Sequence, residues 1–147
     1  MAIGMAWARK LQGKSGKIFV LISDGECQEG TTWESLLVSA ARGLDNLVVL
    51  VDYNRMQALD SVDNILPLGD LSDKFAAFGY ESVDVNDGHD CIKIVEAVSS
   101  FKRDGRPKGI ICHTVKGKGV EIFENKPEWH AKKLRQGDYN IAKKMLS

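Results

Sequence analysis

No two cysteines in this chain are spaced for a metal or a disulfide. Cys27, Cys91 and Cys112 are an odd number at wide intervals, and no CxxC occurs. Neither a zinc site nor a disulfide framework is indicated, and reduced thiols in a cytoplasm are the expectation. Charge of one sign in excess is also missing. Twenty Lys and Arg balance twenty Asp and Glu, which gives no reason to expect nucleic acid or a membrane surface as a partner. The longest apolar run, around Leu47 to Val51, is far too short to span a bilayer. No basic segment followed by an apolar stretch opens the chain, so no signal peptide is read. No GxGxxG follows the first apolar run, which argues against a nicotinamide-binding domain. Gly13-Lys14-Ser15-Gly16-Lys17 lacks the GxxxxGK[ST] spacing and precedes a strand, so it is not a phosphate loop of that kind. Internal repeats, low-complexity tracts and a convincing linker are absent as well.

What is present is ordinary for one globular domain. The 147 residues are 44% hydrophobic and 27% charged, enough to bury a real core. Met1 to Leu11 carries apolar residues at helical spacing from the first position, with no capping lead-in. Either this is a short natural start or an N-terminal portion is missing. Lys17 to Ser23 and Leu47 to Tyr53 are continuous apolar runs bounded by polar residues, which suits strands buried on both faces. Thr31 to Arg42 has helical periodicity. Thr31 or Thr32 is its expected cap, Glu34 lies in its first turn and Gly43 is its stop. Further helices are expected over Asp70 to Phe78, over Asp90 to Phe101 with Asp90 as cap, and near Tyr139 to Leu146. Further strands are expected over Ser82 to Val85 and Lys108 to Val115. The alternation predicts an α/β fold, a doubly wound parallel sheet flanked by helices. Ligands in such sheets sit beyond the carboxyl ends of the strands. Three places then matter: Ser23 onward, Asn54 onward, and Val115 onward.

The first strand ends in Ser23-Asp24-Gly25-Glu26 and the second in Asp52-Tyr53-Asn54. Asp24 and Asn54 are 30 positions apart (54 − 24), separated by one strand-helix-strand unit, so both emerge on one sheet edge. Magnesium takes one or two protein oxygens and fills the rest of its octahedron with water and phosphate oxygens. The Asp24 carboxylate, the Asn54 amide oxygen and the Met56 carbonyl would make such a half-shell, and Gly25 lets the backbone come close to a bulky anion. Cys27 is nearby but is a poor ligand for a hard ion. His89 reads as part of a turn and helix cap, and His113 as a satisfied core histidine. Lys116 and Lys118 read as ordinary loop lysines.

The stretch SDGECQEGTTWESLLVSAARGLDNLVVLVDYNRMQ resembles the cofactor motif of thiamine-diphosphate enzymes, a Gly-Asp-Gly followed at some thirty residues by Asn. It is similar to transketolase in particular. The Glu-Gly after the aspartate, the Trp-Glu opening the next helix, LDNL and VDYN all match that family. FAAFGYESVDVNDGHD and HTVKGKGVEIFENKPEWH follow in order. The resemblance covers nearly the whole chain. It implies a single diphosphate-binding domain over 1–147 with the thiamine-diphosphate-binding fold, N-terminally truncated relative to the family.

By position, Asp24, Asn54 and the Met56 carbonyl resemble the magnesium ligands, and Gly25 and Glu26 belong to the cofactor-binding motif. Glu29 resembles a buried glutamate that couples two active sites at the dimer interface. His130 resembles a histidine near the cofactor diphosphate and the substrate. Ser23 stands where the family has glycine, and a small residue should fit. Ala131 stands where glycine is usual, which bears on that loop's conformation. The resemblance implies thiamine diphosphate and Mg2+ as cofactors and sugar phosphates as substrates. It also implies a cytoplasmic homo-oligomer and a partner subunit or domain carrying the pyrimidine-binding half with its activating glutamate. The isolated chain is therefore expected to be inactive. Another thiamine-dependent enzyme is the next reading, although QEG and WES fit transketolase better. A non-catalytic remnant serving as a dimerisation or partner-binding module is the alternative of a different class.

Overall fold

A computed structural model describes residues 1–146. The elements run α1 (Ala2–Leu11), β1 (Ile18–Ser23), α2 (Gly30–Ala41), β2 (Leu47–Tyr53), α3 (Val62–Ile65), α4 (Leu71–Ala77), β3 (Glu81–Val85), α5 (Cys91–Ser100), β4 (Lys108–His113) and α6 (Gln136–Leu146). Short 3-10 turns cover Gly25–Gln28 and Pro127–His130. The four strands are all parallel, in the order β1-β2-β4-β3. The parallel sheet and its helical flanks are as the alternation predicts.

Register decides which chain ends meet. Ser23 pairs with Asp52, Asp52 with Cys112, and Cys112 with Val85. The residues following this row, Asp24, Asn54 and Thr114 among them, therefore leave the sheet along one edge.

The two faces of the sheet are covered unequally. One face carries Val20, Ile22, Val49, Val51 and Ile111 against α1, α2 and α4, with Phe75 and Tyr80 inside. The other carries Val48, Leu50, Val83, Val85, Ile110 and Cys112 against α5. Strands β2 and β4 sit in the middle and are apolar on both faces, as expected of buried parallel strands. The same expectation fails for β1. Phe19 and Leu21 are 54% and 69% exposed, because β1 is an edge strand and α5 packs on the far half of the sheet. An apolar run reports strand formation but not whether a second layer arrives over it.

The helix ends show local chemistry at work. Asp70 and Asp90 cap α4 and α5, their carboxylates accepting from Asp73 N at 2.8 Å and Ile92 N at 2.9 Å. Gly43, at φ 59, takes the left-handed position after α2. The start of α2 differs from the expectation. Glu29 occupies the N-cap position without a side-chain cap. Thr32 instead donates its hydroxyl to the Glu26 carbonyl at 2.7 Å. The preceding 3-10 turn brings that carbonyl within reach, so the helix begins earlier and Glu34 lies beyond its first turn.

At the amino end of the sheet a buried cation closes the fold. Lys108 is 1% exposed and its ammonium meets Glu81 and, at 2.8 Å, Asp104. Lys108 and Arg106 hold the Asp104 carboxyl well below its ordinary value of 3.8. Its stabilisation is full above that value and fades as acid protonates Asp104 below it. In Lys108→Met the melting temperature should fall less steeply on acidification below about pH 4 than in the wild type, read by circular dichroism. A second expectation concerns Gly109, where a Cβ would come 2.6 Å from a ring carbon of the fully buried Phe75. Gly109→Val should destabilise the domain by about 1–3 kcal/mol through overpacking, measured by urea denaturation.

Candidate functional site

The site is built at the carboxyl edge, where β1 and β2 hand over to loops. Asp24 leaves β1 and is 2% exposed. Its Oδ1 accepts from Gly25 N at 2.8 Å and its Oδ2 from Arg55 N at 2.7 Å. The second bond crosses from the end of β1 to the end of β2. It is possible because Arg55 adopts φ 62, a left-handed conformation that a non-glycine residue adopts at a cost. The Arg55 guanidinium meanwhile lies over the Tyr53 ring at 5.1 Å. Asn54 Oδ1 accepts from Met56 N at 2.9 Å, which tightens the same turn. The Met56 carbonyl accepts no hydrogen bond among the described residues.

Electrostatics mark Asp24 as unfinished. Burial pushes its carboxyl pKa up, and Asp52 adds to the rise, while the amides of Arg55 and Gly25 and the Lys116 charge pull it down. Desolvation is the largest of these influences. No ion pair among the described residues includes Asp24. A buried carboxylate of this kind is completed by a cation. The donors available here are one carboxylate, one amide oxygen and one free carbonyl, all hard oxygens. That chemistry fits Mg2+, with water and phosphate oxygens supplying the rest. The described residues hold no group of three or more His, Cys, Asp or Glu suited to a metal. Cys27 is buried, and its thiol is pushed up to about 12 by burial with Asp24 and Glu26 adding. It therefore stays protonated and is no ligand.

The remaining sequence-derived residues fall in different places. Gly25 opens the 3-10 turn directly after Asp24. Glu26 is turned back on Ser23: its Oε2 accepts from Ser23 N at 2.8 Å, while Ser23 Oγ accepts from Glu26 N at 3.2 Å. This reciprocal pair is a capping box, legible in the sequence as Ser-x-x-Glu. Glu26 and Glu29 line a cleft of about 250 Å³ with Thr31, Thr32 and Tyr80, on the α1–α2 face. Asn54 lines a different cavity, of about 580 Å³, on the α5 face. Glu29 is exposed in the single chain. His130 is exposed on the 3-10 turn at 127–130 and touches none of the others through a hydrogen bond among the described residues.

The larger cavity contains residues that no motif marks as a set. Asp52 accepts a hydrogen bond from the Thr114 hydroxyl, joining the ends of β2 and β4. His89, expected to serve a turn and cap, does more. Its Nε2 accepts from Val115 N at 2.8 Å, so the imidazole holds the start of the Lys116 loop. The bond requires the neutral ring with its proton on Nδ1. Lys116 and Gly117 complete that wall. Only the fold brings these residues together, although Asp87-Gly88-His89-Asp90 could have flagged His89. His113 is satisfied as expected but sits at the strand end, half-buried, its Nε2 2.6 Å from Asp84 Oδ1. Lys118 lies 3.9 Å from Glu124.

Comparisons with known proteins identify the family and the fold. Residues 10–147 match the transketolase thiamine diphosphate binding domain. The chain is 37% identical over 142 residues to an apulose-4-phosphate transketolase subunit of Actinobacillus succinogenes, covering 97% of this chain and 51% of that protein. It is 40% identical over 142 residues to a 6-deoxy-6-sulfo-D-fructose transketolase subunit of Clostridium sp. strain MSTE9, covering 96% and 51%. It therefore spans about half the length of these curated relatives. Among solved structures, the transketolase of Campylobacter jejuni superposes with a TM-score of 0.87 at 28% identity, covering 97% of this chain and 23% of that one. No helix among the described residues is long and apolar enough to cross a membrane. On the match across the chain and the shared fold, this protein belongs to the transketolase family and carries its thiamine diphosphate binding domain.

Proposed function

We propose that this chain anchors thiamine diphosphate through Mg2+ as one component of a split transketolase-type enzyme that transfers two-carbon ketol units between sugar phosphates or related sugars. The observation that carries this reading is the buried Asp24 carboxylate beside the Asn54 amide oxygen and the Met56 carbonyl, with no cationic partner for Asp24 and no donor to that carbonyl among the described residues. Asp24, Asn54 and the Met56 carbonyl would hold the ion, and Gly25 would leave room for the diphosphate. Lys116 brings positive charge to the same edge. His89 steadies the loop that carries it.

Thiamine diphosphate, when bound, supplies a carbon nucleophile and an electron sink. This chain's groups anchor, neutralise and exclude water. The group that activates the cofactor belongs to a pyrimidine-binding subunit or domain supplied by a partner. The relatives named as transketolase subunits support a two-chain arrangement. Glu29 is exposed here, which suits a glutamate whose burial comes from a second copy in a homo-oligomer. His130, exposed on its turn, would serve as the histidine near diphosphate and substrate that its position in the family motif implies.

Calorimetric titration of thiamine diphosphate into the pure chain should give binding that needs Mg2+. Asp24→Ala should weaken it about ten-fold or more, as expected for a lost charged ligand. Binding of equal strength without Mg2+ would remove the reading. In a coupled ketol-transfer assay the chain alone should be inactive and should gain activity with a pyrimidine-binding partner. Robust turnover by the pure chain would show that no partner is needed.

A further inference from the structure

The loop after β2, which carries the Met56 carbonyl, is a small hairpin closed on itself. Val62 N donates to Arg55 O at 2.9 Å and Gln57 N to Asp60 O at 2.8 Å, while Met56 and Ser61 form an antiparallel bridge. Such closure fixes the shape of the hairpin but not its orientation on the domain. The bond from Arg55 N to Asp24 Oδ2, at 2.7 Å, is one fastening. A single bond leaves rotation about itself open.

Gln28 is a second fastening. It ends the 3-10 turn that Asp24 caps, and it is half-buried. Its Nε2 donates to Leu66 O at 2.7 Å, and its Oε1 accepts from Gln57 Nε2 at 2.7 Å. A carbonyl can only accept, so the Leu66 bond fixes which way the Gln28 amide faces and leaves its oxygen for Gln57. One side chain thus ties the residue beside Met56 and the far end of the same loop to the turn that follows Asp24. The turn does not need this amide for its own closure. Its backbone is closed by Cys27 N to Asp24 O and Glu29 N to Glu26 O, and by the Ser23–Glu26 pair. The two Gln28 bonds therefore serve the loop.

We propose that Gln28 is a positioning residue that tunes which divalent cation the carboxyl edge prefers, by holding the Met56 carbonyl in place relative to the Asp24 carboxylate. This rests on the reading of Asp24, Asn54 and the Met56 carbonyl as the ligand set. Gln28 acts through Gln57 and Leu66 and is not itself a ligand. Mg2+ demands near-ideal octahedral geometry with oxygens at about 2.0–2.1 Å, whereas Ca2+ takes about six to eight oxygens at about 2.3–2.6 Å in flexible arrangements. A carbonyl held in place suits the stricter ion, and loosening it costs Mg2+ more than Ca2+.

The test is calorimetric titration of thiamine diphosphate into the full chain with either Mg2+ or Ca2+ in excess, for the wild type, Gln28→Met, Gln57→Met and the double variant. Methionine keeps a side chain of similar length but has no N–H to donate and only a weak acceptor. Gln28→Met should lower the Mg2+-supported affinity about ten-fold and the Ca2+-supported affinity less, so the ratio of the two moves toward Ca2+. Gln57→Met should move the ratio the same way. The double variant should add little to Gln28→Met, because both substitutions break one bond. A ratio unchanged in Gln28→Met overturns the inference even if the melting temperature falls, since a purely structural bond would weaken both complexes alike. A ratio unchanged in Gln57→Met overturns the route through that bond. Absence of divalent-dependent binding in the wild type would instead remove the ligand-set reading, and this inference with it. Divalent-dependent wild-type binding with an unmoved ratio removes the role of Gln28 alone.

Discussion

One buried carboxylate ties the carboxyl edge of this domain together. Asp24 accepts an amide from its own strand end and another from Arg55, across the gap between β1 and β2. The Arg55 N–H reaches it through a left-handed backbone, and the Asn54–Met56 turn is tightened by a side-chain bond of its own. Desolvation still raises the Asp24 pKa despite both bonds. The carboxylate thus stores an electrostatic deficit, and the strained turn holds oxygen donors beside it. A site organised in this way spends fold stability on preorganisation.

The unequal covering of the sheet separates what surrounds that carboxylate. Residues after β1 run under α1 and α2, so Glu26 and Glu29 face one cleft. Asn54, Asp52, His89 and Lys116 face the other, on the α5 side. On the α5 side the charge of Lys116 and the His89-braced loop border the edge where Asp24 emerges. On the other side Glu26 is engaged by Ser23 and Glu29 by the Thr31 hydroxyl. The open β1 face, with Phe19 and Leu21 in solvent, is the largest apolar departure from a closed doubly wound sheet.

Opposite edges of the sheet use charge differently. At the carboxyl edge a carboxylate is short of a cation. At the amino edge Lys108 is buried against Glu81 and Asp104, fully compensated. Around the Gly13–Gly16 loop cations are in excess, and the buried Asn46 Oδ1 has no hydrogen-bond partner among the described residues. These imbalances are local, since the chain as a whole is neutral. Net charge therefore carries no information about small-ligand pockets.

The elements themselves were legible from one-dimensional rules. Apolar runs marked β1, β2 and β4, Asp90 announced its cap, and Gly43 closed the helix that precedes it. Motif order gave the family, and strand-end placement gave the edge where Asp24 and Asn54 emerge. The sequence could not show that β1 would be an edge strand with one bare face. That depends on where α5 lands, a non-local packing outcome. The α2 start departs from its sequence signal because a 3-10 turn, stabilised by the Ser23–Glu26 capping box, shifts it earlier. His89 reached Val115, and Thr114 reached Asp52, only through the pairing of β4 with β2 and β3. Local chemistry thus determined the strands, helices and cofactor motif. Tertiary structure alone decided burial, the desolvation of Asp24 and the orphaned Asn46 oxygen, because each depends on atoms brought close from distant parts of the chain.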